Sequence, residues 1–229
     1  MNLYQLPILP MTIPIRKTGL LRNESFSFTC NRCRECCKNK KIQINPYETA
    51  QLARRLGMTT TRFIERFTVE EGAFLKFTEE GTCAFLGPDG CSVHHDRPLV
   101  CRLYPLARHV GEKGEEWFSE LEPEPSCRGS YGMESTISEY LAKEDALPYM
   151  QAANIYLNLL WKLISALESQ EESEQVEGSI EEAVTPENWM DIDAVVTDYC
   201  LRNRLQKPQT VNENMRLHIE ALEQWIKPT

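Results

Sequence analysis

The sequence predicts an α+β protein: a small, irregular, cysteine-rich unit with short strands, followed by C-terminal helices. Three observations predict it. Eight of the nine cysteines fall between Cys30 and Cys127. The chain around them is punctuated by glycine and proline turns, and beyond Gly132 a helical apolar period takes over. The expected organisation is an N-terminal arm over 1–27, a cysteine-cluster domain over 28–132, and a helical region over 133–229 containing an acidic linker at about 168–187.

The elements follow in order. The first 29 residues show no sustained period and read as an arm. Asn45-Pro46 opens a helix through Leu56, with asparagine as N-cap and proline at N1, and Gly57 ends it. A second helix spans about 60–67, with Phe63, Ile64 and Phe67 on one face. Residues 68–93 read as β-rich from Val69, Phe74, Leu75 and Phe77, and Gly87-Pro88-Asp89-Gly90 marks a tight turn. That turn brings Cys83 and Cys91 together across a hairpin-like pair. Asp96 caps a short helix that holds Pro98 in its first turn and that Pro105 stops. Residues 106–120 suit a strand pair around Gly111-Glu112-Lys113-Gly114, and a proline-rich stretch then leads to Cys127. From about 147 to 167, Ile155, Leu157, Leu159, Leu160, Leu163, Ile164 and Leu167 make a wide apolar helical stripe. Helices near 188–203 and 209–226 close the chain, and no internal repeat is present.

At 229 residues a sizeable core forms without cross-links. A net charge of −9 argues against general nucleic-acid binding, which requires a basic surface. No apolar run approaches the roughly 18 residues of a membrane span, and the start of the chain lacks the basic flank and cleavage site of a signal peptide. The expected location is therefore cytoplasmic, where thiols stay reduced and clustered cysteines bind metal rather than each other.

Cys30-x2-Cys33-x2-Cys36-Cys37 is the central feature. Two-residue gaps turn successive sulfurs toward one centre, and three sulfurs from a short loop with a fourth from afar is how many iron–sulfur clusters are held. Structural zinc more often uses two separated CxxC pairs, whereas Cys83, Cys91, Cys101 and Cys127 follow here at irregular gaps. The spacing places an iron–sulfur cluster, of the 4Fe-4S kind, ahead of zinc. Eight thiolates make two four-sulfur sites, or one site plus further thiols, and the spacing alone leaves both open.

Charge agrees with a thiolate-bound metal. A tetrathiolate zinc site or an oxidised four-iron cluster carries about −2. Arg32, Arg34, Arg97 and Arg102 lie close to cysteines in the chain and are placed to offset it. By contrast, residues 168–187 hold eight glutamates and no lysine or arginine.

The combined pattern resembles the YkgJ-type cysteine-cluster family, a zinc- or iron-chelating domain. The motifs are C-x2-C-x2-CC, then C-x-F-L-x4-C-S-V-x3-RP-x2-CR-x-YP, then C-x-G, over about residues 28–132. The resemblance implies Cys30, Cys33, Cys36, Cys37, Cys83, Cys91, Cys101 and Cys127 as metal ligands. It also implies Arg97, Pro98, Arg102, Tyr104 and Pro105 as supporting residues, with Arg97, Arg102 and Tyr104 the candidates beside the cofactor. A redox or group-transfer role follows from the iron–sulfur form, and a non-enzymatic zinc module that binds a protein partner from the zinc form. Relatives include a flagellin lysine N-methylase, which makes protein lysine methylation a further alternative. Here, however, the first cysteine gap has two residues where the methylase pattern has three, and no GxGxG-type loop offers a Rossmann site for a methyl donor.

Other residues read as structural. His94 and His95 adjoin Cys91 but suit capping or surface positions, His109 and His218 surface or partly buried ones. Tyr104 packs, and Cys200 is a small core residue on a helix.

Overall fold

The computed structural model describes residues 14–111, 113–173 and 189–226. Residues 1–13 of the expected arm and 174–187 of the expected linker lie outside them, and so do the side chains of Leu163 and Leu167. The fold is α+β, with helices and short antiparallel strands in small sheets.

Residues 14–29 are not an arm over their described part. They form β1 (Ile15–Leu20) and β2 (Ser25–Thr29). The cause is alternation in Ser25-Phe26-Ser27-Phe28-Thr29, which buries Phe26 and Phe28 on one face while the serines face out.

Asn45 caps α1 (Pro46–Arg55) through a reciprocal capping box, its side chain accepting from Glu48 N while the Glu48 carboxylate accepts from Asn45 N. Thr59 caps α2 (Thr60–Phe67). The pairs β3 (Thr68–Val69) with β4 (Phe74–Leu75), and β5 (Leu86–Gly87) with β6 (Gly90–Cys91), follow as antiparallel ribbons. The second is the expected Gly-Pro-Asp-Gly hairpin, with Leu86 opposite Cys91.

The next helix starts later than expected. Residues 94–96 form a short 3-10 turn, and α3 spans only Leu99–Leu103 with Pro98 as its extended N-cap and no side-chain cap from Asp96. Proline disfavours helical backbone in the residue before it, so Arg97 is extended and the helix begins after the proline.

Strands β7 (Leu106–Val110) and β8 (Glu116–Leu121) pair as expected, and β1 adds to the other side of β8. The glycine-containing stretch after Cys127 becomes β9 (Ser130–Thr136), which pairs with β2. Thr136 then caps α4 (Ile137–Lys143).

Helix α5 runs Leu147–Ser173, so residues 168–173 of the expected linker are helical, as glutamate and glutamine favour. Its buried line is Tyr149, Met150, Ala152, Tyr156 and Leu159, and Ile155 and Ile164 of the expected stripe are exposed. Helices α6 (Ile192–Asn203) and α7 (Val211–Ile226) complete the fold. Among the described residues no helix is long and apolar enough to cross a membrane.

Two apolar clusters organise these elements. One joins Phe26, Phe28, Phe118, Ile137 and Leu141 to Tyr156, Leu159, Val196 and Leu222 of the C-terminal helices. The other gathers Ile44, Leu52, Phe63, Leu75, Phe85 and Val93. Helix α1 divides them, giving Tyr47 and Ala50 to the first and Leu52 and Ala53 to the second. Asp191 and Asp193 lock α2 to α6. Asp191 accepts from the hydroxyls of Thr60 (2.5 Å) and Thr61 (2.6 Å), and Asp193 accepts from Thr60 N at 2.9 Å.

Candidate metal centre

The eight motif cysteines come together where the two clusters meet, on the wall of one cavity of about 1440 Å³. All nine cysteines are free thiols; Cys200 is buried in the helical core, away from the eight.

Local geometry turns backbone amides onto the sulfurs. Cys33 accepts from Glu35 N, Cys83 from Phe85 N, Cys91 from Val93 N, and Cys127 from Gly129 N, the last at 3.4 Å. In each case the donor is two residues on. An N–H aimed at sulfur favours thiolate over thiol, and four such bonds are the chemistry of a thiolate ligand set. Cys33 also accepts from Arg128 N, and its Sγ lies 3.8 Å from that of Cys127.

Electrostatics sorts the thiols. At Cys36, a hydrogen bond with the Cys37 thiol, aided by Lys40 and Arg97, outweighs burial and brings the pKa down to about 7. The same bond and burial push Cys37 well up. Burial also raises Cys83, Cys91 and Cys101, each further raised by neighbouring thiols. At Cys33 burial opposes ionisation, yet the two amides hold the thiol below its ordinary value. A bound cation would relieve this crowding, since several thiolates at one place repel each other unless a metal takes up their charge.

The residues around the sulfurs play different parts. Arg97 pairs with Glu144, donates to His94 O, and contributes positive charge to Cys36 and Cys91. Arg102 is buried and committed to carbonyls. It donates to Arg97 O at 3.0 Å, to Glu144 O at 2.9 Å and to His95 O, and lies over the Tyr149 ring. It therefore binds α3 to the 94–96 turn and the end of α4. Tyr104 accepts from Glu124 N at 3.3 Å; burial and the nearby Cys127 and Cys36 raise its pKa to about 12. Arg32 and Arg34 both sit at left-handed φ in the Cys30–Cys37 loop and line the cavity.

His94 meets Arg97, while His109 stacks on Trp117 and pairs with Ser119. His218, expected at or near the surface, is fully buried, with Nδ1 2.9 Å from Tyr156 Oη. The apolar residues three and four positions on, Ala221 and Leu222, were the available signal for its inward face.

One residue of consequence was not singled out from sequence. Glu48 is buried, and its Oε1 accepts from Leu99 N at 2.6 Å, fixing the start of the helix that carries Cys101. Burial, against two amide bonds and Arg102, lifts its pKa to about 7. The capping-box spacing Asn45-x2-Glu48 was the available signal.

Residues 29–128 match the CxxCxxCC family model, described as "Putative zinc- or iron-chelating domain". Over these residues the chain is similar to the CxxCxxCC family. Neither the curated proteins nor the solved structures gave a match to the chain. Among the described residues, no three cysteine, histidine, aspartate or glutamate side chains are already closed on one ion. The CxxCxxCC donor set nevertheless fits a thiophilic metal: soft sulfur ligands, amides aimed at four of them, and one sulfur pair at ligand spacing.

Proposed function

We propose that the CxxCxxCC domain holds an iron–sulfur cluster, of the 4Fe-4S kind, in a redox or group-transfer role in the cytoplasm. The observation that carries this reading is the cavity. Metal sites that only stabilise a fold are closed by their ligands, whereas working sites keep an open side. Here the sulfurs line a space of about 1440 Å³, large enough to admit a second molecule. When bound, the cluster would supply electrons, or an iron for the reacting group. The chain's own residues hold it: amides fix the sulfurs, while Arg97 and Lys40 offset negative charge near Cys36. Three cysteines on one short loop and free thiols throughout agree with cluster binding in a reducing compartment.

A zinc reading has one observation of its own. Four sulfurs about 2.3 Å from a tetrahedral zinc lie about 3.8 Å apart, which is the Cys33–Cys127 separation. In a four-iron cluster each thiolate binds a different iron, which spreads the sulfurs further. The test is metal and acid-labile sulfide content of protein purified without oxygen, with a visible spectrum. Iron with equivalent sulfide and a colour bleached by dithionite is expected. Zinc without sulfide would replace the cluster with a zinc module.

A further inference from the structure

Resting on the metal-binding reading above, we propose that the eight cysteines form two adjacent four-sulfur sites. One is Cys30, Cys33, Cys36 and Cys127; the other is Cys37, Cys83, Cys91 and Cys101.

The first set hangs from the end of one β-ribbon. Strands β2 and β9 pair Phe28 with Tyr131 and Thr29 with Ser130. The pairing continues past the last rung, where Asn31 Nδ2 donates to Arg128 O at 2.6 Å. Cys30 and Cys33 leave one strand there, Cys127 enters the other, and the Cys33 and Cys127 sulfurs meet at 3.8 Å. Cys127 packs against the first apolar cluster.

The second set belongs to the other cluster. Cys83 and Cys91 pack against the Phe63 and Phe85 side of the molecule, joined by the β5–β6 hairpin. Cys83 N donates to Cys37 O at 3.0 Å, tying the Cys37 loop to them, and α3 brings Cys101.

Cys36 follows Cys33 at the same two-residue gap that separates Cys33 from Cys30, whereas Cys37 is tied to Cys83 through its carbonyl, and the two stand where the sets meet in one 3-10 turn, Glu35–Cys37. The two sites therefore stand side by side, joined through one peptide bond.

The test counts metal and maps thiols in the full chain. Wild-type protein should carry two zinc ions, or two four-iron clusters. Cys127→Ser and Cys101→Ser should each keep about half of that metal. Native-state alkylation with iodoacetamide, read by mass spectrometry, should label Cys30, Cys33 and Cys36 in C127S while Cys37, Cys83, Cys91 and Cys101 stay protected. C101S should give the converse. Buried Cys200 reports folding, because it labels only if the helical core opens. One ion or one cluster per wild-type chain would overturn the division while leaving metal binding intact. So would loss of all metal from either variant with Cys200 still protected. A wild-type chain with no metal would remove both readings.

Discussion

The cysteine-bearing segments and the C-terminal helices reach order by different means. The former are strands of two to six residues, 3-10 turns and one five-residue helix, set around α1 and α2. The latter are helices of 27, 12 and 16 residues with buried Tyr156, Leu159, Val196 and Leu222 between them. Short strands and turns bury little apolar surface of their own and leave their loops to be fixed by other bonds. The comparison teaches that the helical side is ordered by its own apolar packing, whereas the cysteine-bearing loops depend on bonds from elsewhere.

Removing the metal should break the comparison most visibly. Structural zinc sites contribute about 10 kcal/mol or more to folding. Chelation should therefore raise hydrogen exchange across residues 29–128 by orders of magnitude and leave most of the helical circular dichroism from α5–α7. Uniform loss over both regions, or no change after confirmed metal loss, would contradict the contrast.

The joint between the regions comes next. Asp191→Ala leaves the Thr60 and Thr61 hydroxyls without their carboxylate and removes the α6 cap. The expected cost is about 3 kcal/mol, read by urea unfolding. Asp191→Asn should recover part of it by keeping one acceptor. Equal loss in both variants would show that the charge matters more than the hydrogen bonds.

A smaller effect sharpens the helical side alone. Burial pushes the His218 pKa down to about 3, a hydrogen bond with the Trp189 backbone offsetting only part of the shift. The unfolded chain takes up this proton first, at about pH 6.5. Stability from the neutral ring is thus fully present above about pH 6.5. It is lost at about 1.4 kcal/mol per pH unit as pH falls toward 3. The double variant His218→Phe, Tyr156→Phe removes both hydrogen-bonding partners together and should flatten this slope in acid denaturation. An unchanged slope would place the acid sensitivity elsewhere.

Local signals made part of this fold legible. Asn45-Pro46, Thr59 and the Gly-Pro-Asp-Gly turn each specify structure within a few residues, so α1, α2 and the β5–β6 hairpin stood where the sequence puts them. Strands β1, β2 and β9 depend on partners about a hundred residues away. Their own patterns were short, and proline and glycine masked them. The site divides in the same way. The motif spacing named the eight cysteines that the structure places on one cavity wall. Which sulfurs stand together depends on the β2–β9 register, and the anchoring of α3 depends on buried Glu48, neither of which a linear spacing contains.

Helix α1 carries a consequence for how this protein changes over evolution. A helix lying on one core has an outward face where substitutions drift freely. From Pro46 to Ala53 every residue of α1 is buried, because apolar clusters lie on both sides of it. No position in that stretch has a neutral direction in which to move. Among sequences descended from this one, these eight residues should diverge more slowly than the exposed faces of α6 and α7, whether or not they ever touch a metal.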